Sequence, residues 1–412
     1  MEIPKMIKIK QFFNSEHIDD IERTVTDLII SSGIKIKKGS SVAIAVGSRG
    51  ISNINRIVKT VVSCVKESGA FPFIVPAMGS HGGATAEGQK KVLEGYGITE
   101  QYIGAHIKSS MEVVELPRGD LKHRVYMDKN AYEADATIII NRIKPHTDFH
   151  GKHESGLMKM CAIGLGKHKQ ALEIHKYGAH GLREMIVLTA RQVLKYGNII
   201  MGIGIVENAY DQVKIIKVLK PSEIEDEEMK LLNIARESMP CLPTDKIDVL
   251  IIDEIGKDIS GTGADTNIIG RIRIRGENEP QKPDITNIVM TDLTEESHGN
   301  GLGVGLADFI TKRLFEKIDL KVTYENVLTS NFLQRGNIPI IADTDKQAVE
   351  YALRTCGPIE PAKARIIRIK NTLKLDEIYV SESVLDEIKN NSNIRILGEF
   401  RDMFNGDKLA DF

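Results

Sequence analysis

The stretch Val42-Ala43-Ile44-Ala45-Val46-Gly47-Ser48-Arg49-Gly50 decides the fold class. Its five apolar residues read as a short buried strand, and Gly47 ends it. A helical pattern follows from Asn53 to Ser68, with apolar residues at Ile54, Ile57, Val58, Val61, Val62 and Val65. That spacing keeps one face of a helix apolar, so the helix is expected to pack on the sheet that holds the strand. Strand, glycine turn and helix in this order form the repeating step of an α/β fold.

The same step recurs outward from this stretch. Phe71 to Val75 reads as a second strand, and Thr85 to Glu94 as the helix after it. Ala136 to Ile140 reads as a third strand, continuous enough to be buried on both faces. Ile199 to Val206 reads as a fourth, although Gly202 and Gly204 weaken a strand interior. Around Pro240 to Thr244 two prolines bracket Cys241-Leu242, and a fresh strand begins at Asp248. A domain boundary is placed there. The second half alternates again: strand Asn287 to Met290, helix near Leu306 to Phe315, strand Ile338 to Ile341, helix Lys346 to Leu353, strand Arg365 to Ile369. The expected architecture is two α/β, Rossmann-like domains, residues 1–243 and 244–412, with the active site in the cleft between them. The extreme C-terminus is expected to fold back on the first domain.

Composition narrows the function. A chain of 412 residues is too long for one core of the usual size, roughly 100–200 residues. A net charge of −2 gives no electrostatic basis for binding nucleic acid or an anionic membrane. No run approaches the roughly 20 apolar residues of a membrane helix. Residues Met1 to Lys10 mix charges with single apolar residues, unlike a signal peptide. Cys64, Cys161, Cys241 and Cys356 are scattered and suggest neither a disulfide framework nor a zinc knuckle. A reducing cytoplasm is the expected location.

Ligands of open α/β sheets bind beyond the carboxyl ends of the strands. The first strand is followed by Gly47-Ser48-Arg49-Gly50, the second by Gly79-Ser80-His81-Gly82-Gly83, and the third by Asn141-Arg142-Ile143-Lys144-Pro145-His146-Thr147-Asp148-Phe149-His150-Gly151-Lys152-His153. An arginine and several histidines are thereby brought to one edge of one sheet. Of 11 histidines, six fall between His146 and His180, and histidine serves both proton transfer and metal ligation near neutral pH. Two classes stay open on this evidence alone. One is an enzyme that uses histidines of this edge for general acid–base catalysis. The other is a metal-dependent hydrolase or lyase that uses the His146–His153 cluster directly. A binding protein without catalysis is a third reading. Gly301-Leu302-Gly303-Val304-Gly305 is not a dinucleotide fingerprint, and neither a phosphate loop nor a G-x-S-x-G elbow occurs.

Taken together, the arginine loop, Gly79-Ser80-His81-Gly82, Pro145-His146, Ser155-Gly156-Leu157-Met158-Lys159 and His175 resemble the lactate racemase family that uses a nickel-pincer nucleotide. The resemblance implies a racemase or epimerase of a 2-hydroxyacid, acting by reversible hydride transfer through a 2-oxo acid. It implies a pyridinium bis-thio mononucleotide carrying nickel, linked covalently through Lys159, with His175 as the remaining nickel ligand. Ser48, Gly79 and Gly156 would line that cofactor, and separate synthesis enzymes would supply it. His81 and His146 would be the two catalytic bases, and Arg49 would hold the substrate carboxylate. Lys257 and His298 would be substrate-binding residues of the second domain. Val46-Gly47-Ser48 before Arg49 and Gly50-Ile51 after it depart from the family's pattern, as does the wider spacing between His146 and Lys159. Those departures point away from lactate, toward a longer hydroxyacid or a sugar acid.

Overall fold

The computed structural model describes residues 2–48 and 50–412, apart from the side chain of Ala179. The chain divides into two compact units, Asn14–Met239 and a second made of residues 1–13 with Pro240–Phe412.

The Asn14–Met239 unit is built on a six-stranded sheet. Across the sheet the strands run His106–Ile107, Phe71–Pro76, Ser41–Val46, Ala136–Arg142, Ile199–Glu207 and Val213–Leu219. The first five are parallel, and the last is antiparallel to its neighbour. The chain starts near the centre at Ser41–Val46, winds outward through Phe71–Pro76, and returns on the other side through Ala136–Arg142. The winding therefore reverses between Ser41–Val46 and Ala136–Arg142, where open α/β sheets leave a crevice.

The helix expected over 53–68 is observed at Ile54–Glu67, with Ile57, Val58, Val61, Val62 and Val65 at most 1% exposed. Complete burial of such a side chain stabilises by about 1.5–3 kcal/mol. This face of the helix accordingly anchors a core that also takes in Val42, Ile44 and Val46 of the strand before it. Gly202 and Gly204 do not interrupt their strand, which runs unbroken over Ile199–Glu207. They serve close packing instead. A Cβ at Gly202 would lie 3.0 Å from Leu157 and Ile224 side chains, and one at Gly204 would lie 2.7 Å from Ile143.

The second unit carries an eight-stranded sheet. Five strands are parallel, in the order Ile340–Ala342, Phe309–Thr311, Asp284–Met290, Lys246–Ile252 and Ile366–Ile369. Glu377–Ser381, Met6–Gln11 and Ile394–Ile396 complete it in antiparallel fashion. Two differences from the sequence reading stand out. The single helix read near Leu306 to Phe315 is a strand, Phe309–Thr311, followed by a short helix, Lys312–Lys317. Phe309 and Ile310 are buried beside Val289 and Met290, and the Thr311 hydroxyl caps the helix by accepting from the Leu314 amide. Tertiary pairing thus overrides the apolar spacing that resembled one helix.

The second difference is the strand Met6–Gln11, which crosses the boundary drawn from sequence. Its alternation is that of a strand with one face buried deeper than the other. Ile7 and Ile9 turn into the core, while Lys8 and Lys10 reach Glu377 on the neighbouring strand at 3.0 and 3.4 Å. The C-terminal end stays in this same unit: Met6 pairs with Arg401, and Phe404–Asn405 pairs with Lys408–Leu409. Among the described residues no helix is long and apolar enough to cross a membrane.

Ile9 is wholly buried. Ile9→Ala is expected to cost about 2–5 kcal/mol through lost burial and the cavity left behind. Hydrogen exchange should show lowered protection in Glu377–Ser381 and Ile366–Ile369, with Ser41–Val46 unchanged. Equal loss in both units would contradict the assignment of this strand.

Candidate active site

Three loops leave the carboxyl edge of the first sheet beside one another, because the strands that feed them are parallel neighbours. Together they line a pocket with about 560 Å³ of empty space, counting what is open to solvent. Gly47 and Ser48 come from the first loop, Ala77, Met78 and His81 from the second, and Asn141, Arg142 and Lys144 from the third. Ser155, Lys159, Met160, Ile163 and Gly164 close the far wall. Gly47 is constrained by this neighbourhood: a Cβ there would meet Asn141 Oδ1 at 2.9 Å and Met160 Cε at 3.2 Å.

His81 is exposed at the pocket mouth, and its Nδ1 contacts Ser48 Oγ. The Ser48 carbonyl accepts in turn from the Tyr96 hydroxyl. Because the two ring nitrogens are distinct, the Ser48 contact assigns Nδ1 to the protein's own hydroxyl. Ser48, expected to line a cofactor, thus also orients a histidine.

His146 is buried, and its Nε2 lies 2.5 Å from Lys159 Nζ. The Asp148 amide donates to His146 Nδ1 at 3.0 Å, and the ring stacks against Phe149 with centroids 4.7 Å apart. Backbone, aromatic ring and lysine together fix this imidazole.

The loop carrying His146 is held by two carboxylates whose side chains are almost completely buried. Glu154 accepts from the amides of His146 (2.5 Å) and Gly151 (3.1 Å) and from Arg236 (2.5 Å). Burial acts to raise its carboxyl, but bonds from His150, the His146 amide and Arg236 outweigh burial and hold it below the ordinary range. Glu228, on the helix Ile224–Ser238, accepts from His153 Nδ1 at 3.1 Å and from the Met158 amide at 2.9 Å. Residue 156 has no room for a side chain, since a Cβ there would lie 2.4 Å from Glu228 Oε2. The Gly156 carbonyl accepts from Asn141 Nδ2 at 2.8 Å. Gly79, with φ +60°, sits against Ile163 Cγ2, which a Cβ would approach to 2.7 Å. Both glycines, expected to face a cofactor, meet packed protein atoms within the described chain.

His175 ends the helix Leu165–His175 and is half-buried. Burial first, and the charge of Lys159 second, push its imidazole below the ordinary histidine range, against the opposing pull of Asp148. A neutral imidazole is the form that ligates metals. Among the described residues no three His, Cys, Asp or Glu side chains come together to hold a metal. The reason is visible in the histidine cluster: His153 is turned to Glu228 and His150 to Glu154, and His146 faces Lys159.

The remaining sequence expectations fall elsewhere. Arg49 lies outside the described residues. Lys257 belongs to the second unit, where its ammonium donates to the Gly261 carbonyl and to Asn326 Oδ1 (3.0 Å). His298 is exposed in that unit and ends a short turn with φ +47°. Glu228, Tyr96 and Gln89 were not singled out by sequence. They act from helices or helix ends whose local pattern gives no sign of what they meet in space.

The profile of a domain of unknown function (DUF362) matches residues 47–215, a span that contains every pocket residue named above. Among solved structures, the lactate racemase apoprotein from Thermoanaerobacterium thermosaccharolyticum is similar in fold, with a TM-score of 0.51 and 11% sequence identity. The likeness covers 90% of this chain and 99% of that one. No curated protein matches. At such low identity the shared property is the fold: α/β units with mostly parallel sheets.

The depressed carboxyl of Glu154 fixes a pH dependence. A carboxylate lowered in the folded state contributes stability above its unfolded value near 4.5, and loses it as pH falls through the folded value. Glu154→Gln is expected to cost about 2 kcal/mol at pH 7, because charge-assisted bonds are the strong ones. Urea melts of both proteins should converge as pH drops below about 4.5. A difference that stays constant from pH 7 to 3 would refute the ionised, bonded state of Glu154.

Proposed function

We propose that this chain is a nickel-pincer-dependent racemase or epimerase of a 2-hydroxyacid. The observation that carries the reading is the juxtaposition at Lys159. This amine lines the pocket, touches His146, bears electrostatically on His175, and shares the pocket wall with His81. The lactate racemase likeness agrees with it at the level of fold.

The residues present suit such a cofactor. A metal at this site must bring donors of its own, given the ligand sets among the described residues, and a pincer does so with carbon and sulfur. Lys159 would hold the nucleotide covalently, and His175 would supply an imidazole already kept neutral by burial. When bound, the group would supply reversible hydride transfer at the substrate's α-carbon.

The chain's own residues supply the rest. Lys144 brings positive charge to the wall where a carboxylate would dock, while Arg142 in that wall is paired with the buried Glu207. Arg49 is proposed to clamp that carboxylate. Met78, Met160 and Ile163 make the remaining wall apolar and limit water near the reacting carbon. His81, oriented by Ser48, takes or gives the hydroxyl proton at Nε2 on one side. His146 does so on the other once the lysine is engaged by the cofactor. Two bases are required because each configuration presents its hydroxyl to a different side. The departures around Arg49 favour a longer hydroxyacid or a sugar acid over lactate.

Protein produced together with pincer-synthesis enzymes is expected to carry a mass adduct on Lys159. Lys159→Ala should lose both adduct and nickel, and His175→Ala should keep the adduct while retaining less nickel. Intact mass and metal analysis decide this, and full activity with bound nickel in Lys159→Ala would overturn the reading. His81→Ala and His146→Ala should each lower turnover by on the order of 10²–10⁴-fold in both directions. Their parent should show a bell-shaped pH–rate profile whose apparent pKa values belong to the pair. Normal turnover in His81→Ala would rule out the two-base mechanism.

A further inference from the structure

A fully buried ion pair lies outside the proposed proton-transfer groups. Lys167 and Asp128 have side chains with no exposure to solvent, and Lys167 Nζ lies 3.1 Å from Asp128 Oδ2. Such a pair is costly to bury: burial pushes the lysine below its ordinary range and the aspartate above its own. The backbone adds strain, since Lys167 has φ +55° and ψ −162°, a conformation ordinarily left to glycine. A buried charge on strained backbone calls for an account in terms of what the charge meets.

The ammonium has three N–H donors, and three acceptors surround it. They are the carbonyl of Pro76 and Gln89 Oε1 at 3.2 Å, both hydrogen-bonded, and Asp128 Oδ2, which faces the ammonium as an ion pair. Pro76 ends the strand that feeds the His81 loop. Gln89 is fully buried on the next helix, Ala86–Gly95. An ammonium can only donate, so the Gln89 amide must turn its oxygen to Lys167 and its NH2 the other way. That NH2 donates to the carbonyl of Gly79 at 2.8 Å and to the carbonyl of His81 at 3.3 Å. A flipped amide would set NH2 against the ammonium and oxygen against two carbonyls. One buried cation therefore fixes the start of the loop directly and its tip through Gln89.

We propose that Lys167 is a positioning residue for His81: paired with Asp128, it sets the orientation of the Gln89 amide, which holds the Gly79–His81 backbone so that the imidazole meets Ser48. The proposal rests on the reading of His81 as a proton-transfer group, and it predicts a defect confined to that group.

The test uses Gln89→Met, Gln89→Glu and the double variant Lys167→Met with Asp128→Asn. Gln89→Glu keeps a partner for the ammonium but offers no donor to the two carbonyls. The double variant removes both charges together, so no buried ion is stranded. Circular dichroism and thermal melts establish which variants fold. Histidine ring NMR, with the His81 signal assigned by its loss in His81→Ala, reads the position of the imidazole without any cofactor. The expected result is a displaced or broadened His81 signal in the folded variants, with the other histidine signals in place. In cofactor-loaded enzyme, kcat should fall roughly 10–100-fold with KM unchanged, as for a misplaced catalytic group. Lys167→Arg, which keeps the charge, should recover part of that loss. Folded Gln89→Met and Gln89→Glu with a parental His81 signal and parental kcat would overturn the proposal. If the loaded parent turns over no 2-hydroxyacid while the His81 signal still moves in the variants, the racemase reading falls and the positioning role stands.

Discussion

The loop between Lys144 and Lys159 keeps its shape because two carboxylates, Glu154 and Glu228, are sealed against it and must be satisfied there. A carboxylate withdrawn from water needs several good partners. Most of those partners are backbone amides and imidazoles of this one loop. The requirement runs in both directions. The loop neutralises the acids, and the acids dictate where His146 and Lys159 stand. The absence of a side chain at residue 156 follows from the same crowding. Without these two anchors, a long irregular segment after a strand would have little reason to hold one conformation.

The opposite wall is organised by the same physics with the charges reversed. There a buried cation orders a loop through an amide, where the first wall uses buried anions and amides directly. Glycine serves both walls. At 47, 79 and 156 a Cβ would collide with atoms already committed to packing. The pocket is thus held largely by groups outside its lining, among them Glu154, Glu228, Gln89 and Lys167.

Much of this was legible in the sequence. The apolar runs at Val42–Val46 and Ala136–Ile140 announce parallel strands because burial on both faces leaves no polar alternation. The glycine-flanked His81 and the dense histidines after the third strand announce the edge on which the site forms. What stayed hidden depends on partners distant in the chain. Glu228 is one acid among several on an amphipathic helix, and only the fold reveals that it points inward. Lys167 reads as an ordinary basic residue in a Gly-Lys-His-Lys stretch. Phe309 to Thr311 follows an apolar spacing that suits a helix, and only pairing with Val289 and Met290 makes it a strand. Met6 to Gln11 shows the alternation of a strand plainly, yet nothing local says that its partners lie at Glu377–Ser381 and Ile394–Ile396.

That strand has a consequence for how the chain is made. Synthesis at roughly 5–20 residues per second separates the emergence of Gln11 from that of Glu377 by roughly 20–70 s. For that interval the strand Met6–Gln11 has both edges bare, with Ile7 and Ile9 on one face. Unpaired apolar edges are templates for association with other nascent chains. Lys8 and Lys10, whose folded-state role is to meet Glu377, are also the charges that discourage such pairing on the ribosome. The whole Asn14–Met239 unit is completed in the meantime as an insertion within its companion, tethered at both of its ends. A nascent chain halted between residues 239 and 377 would therefore present a finished Asn14–Met239 unit and an orphan strand.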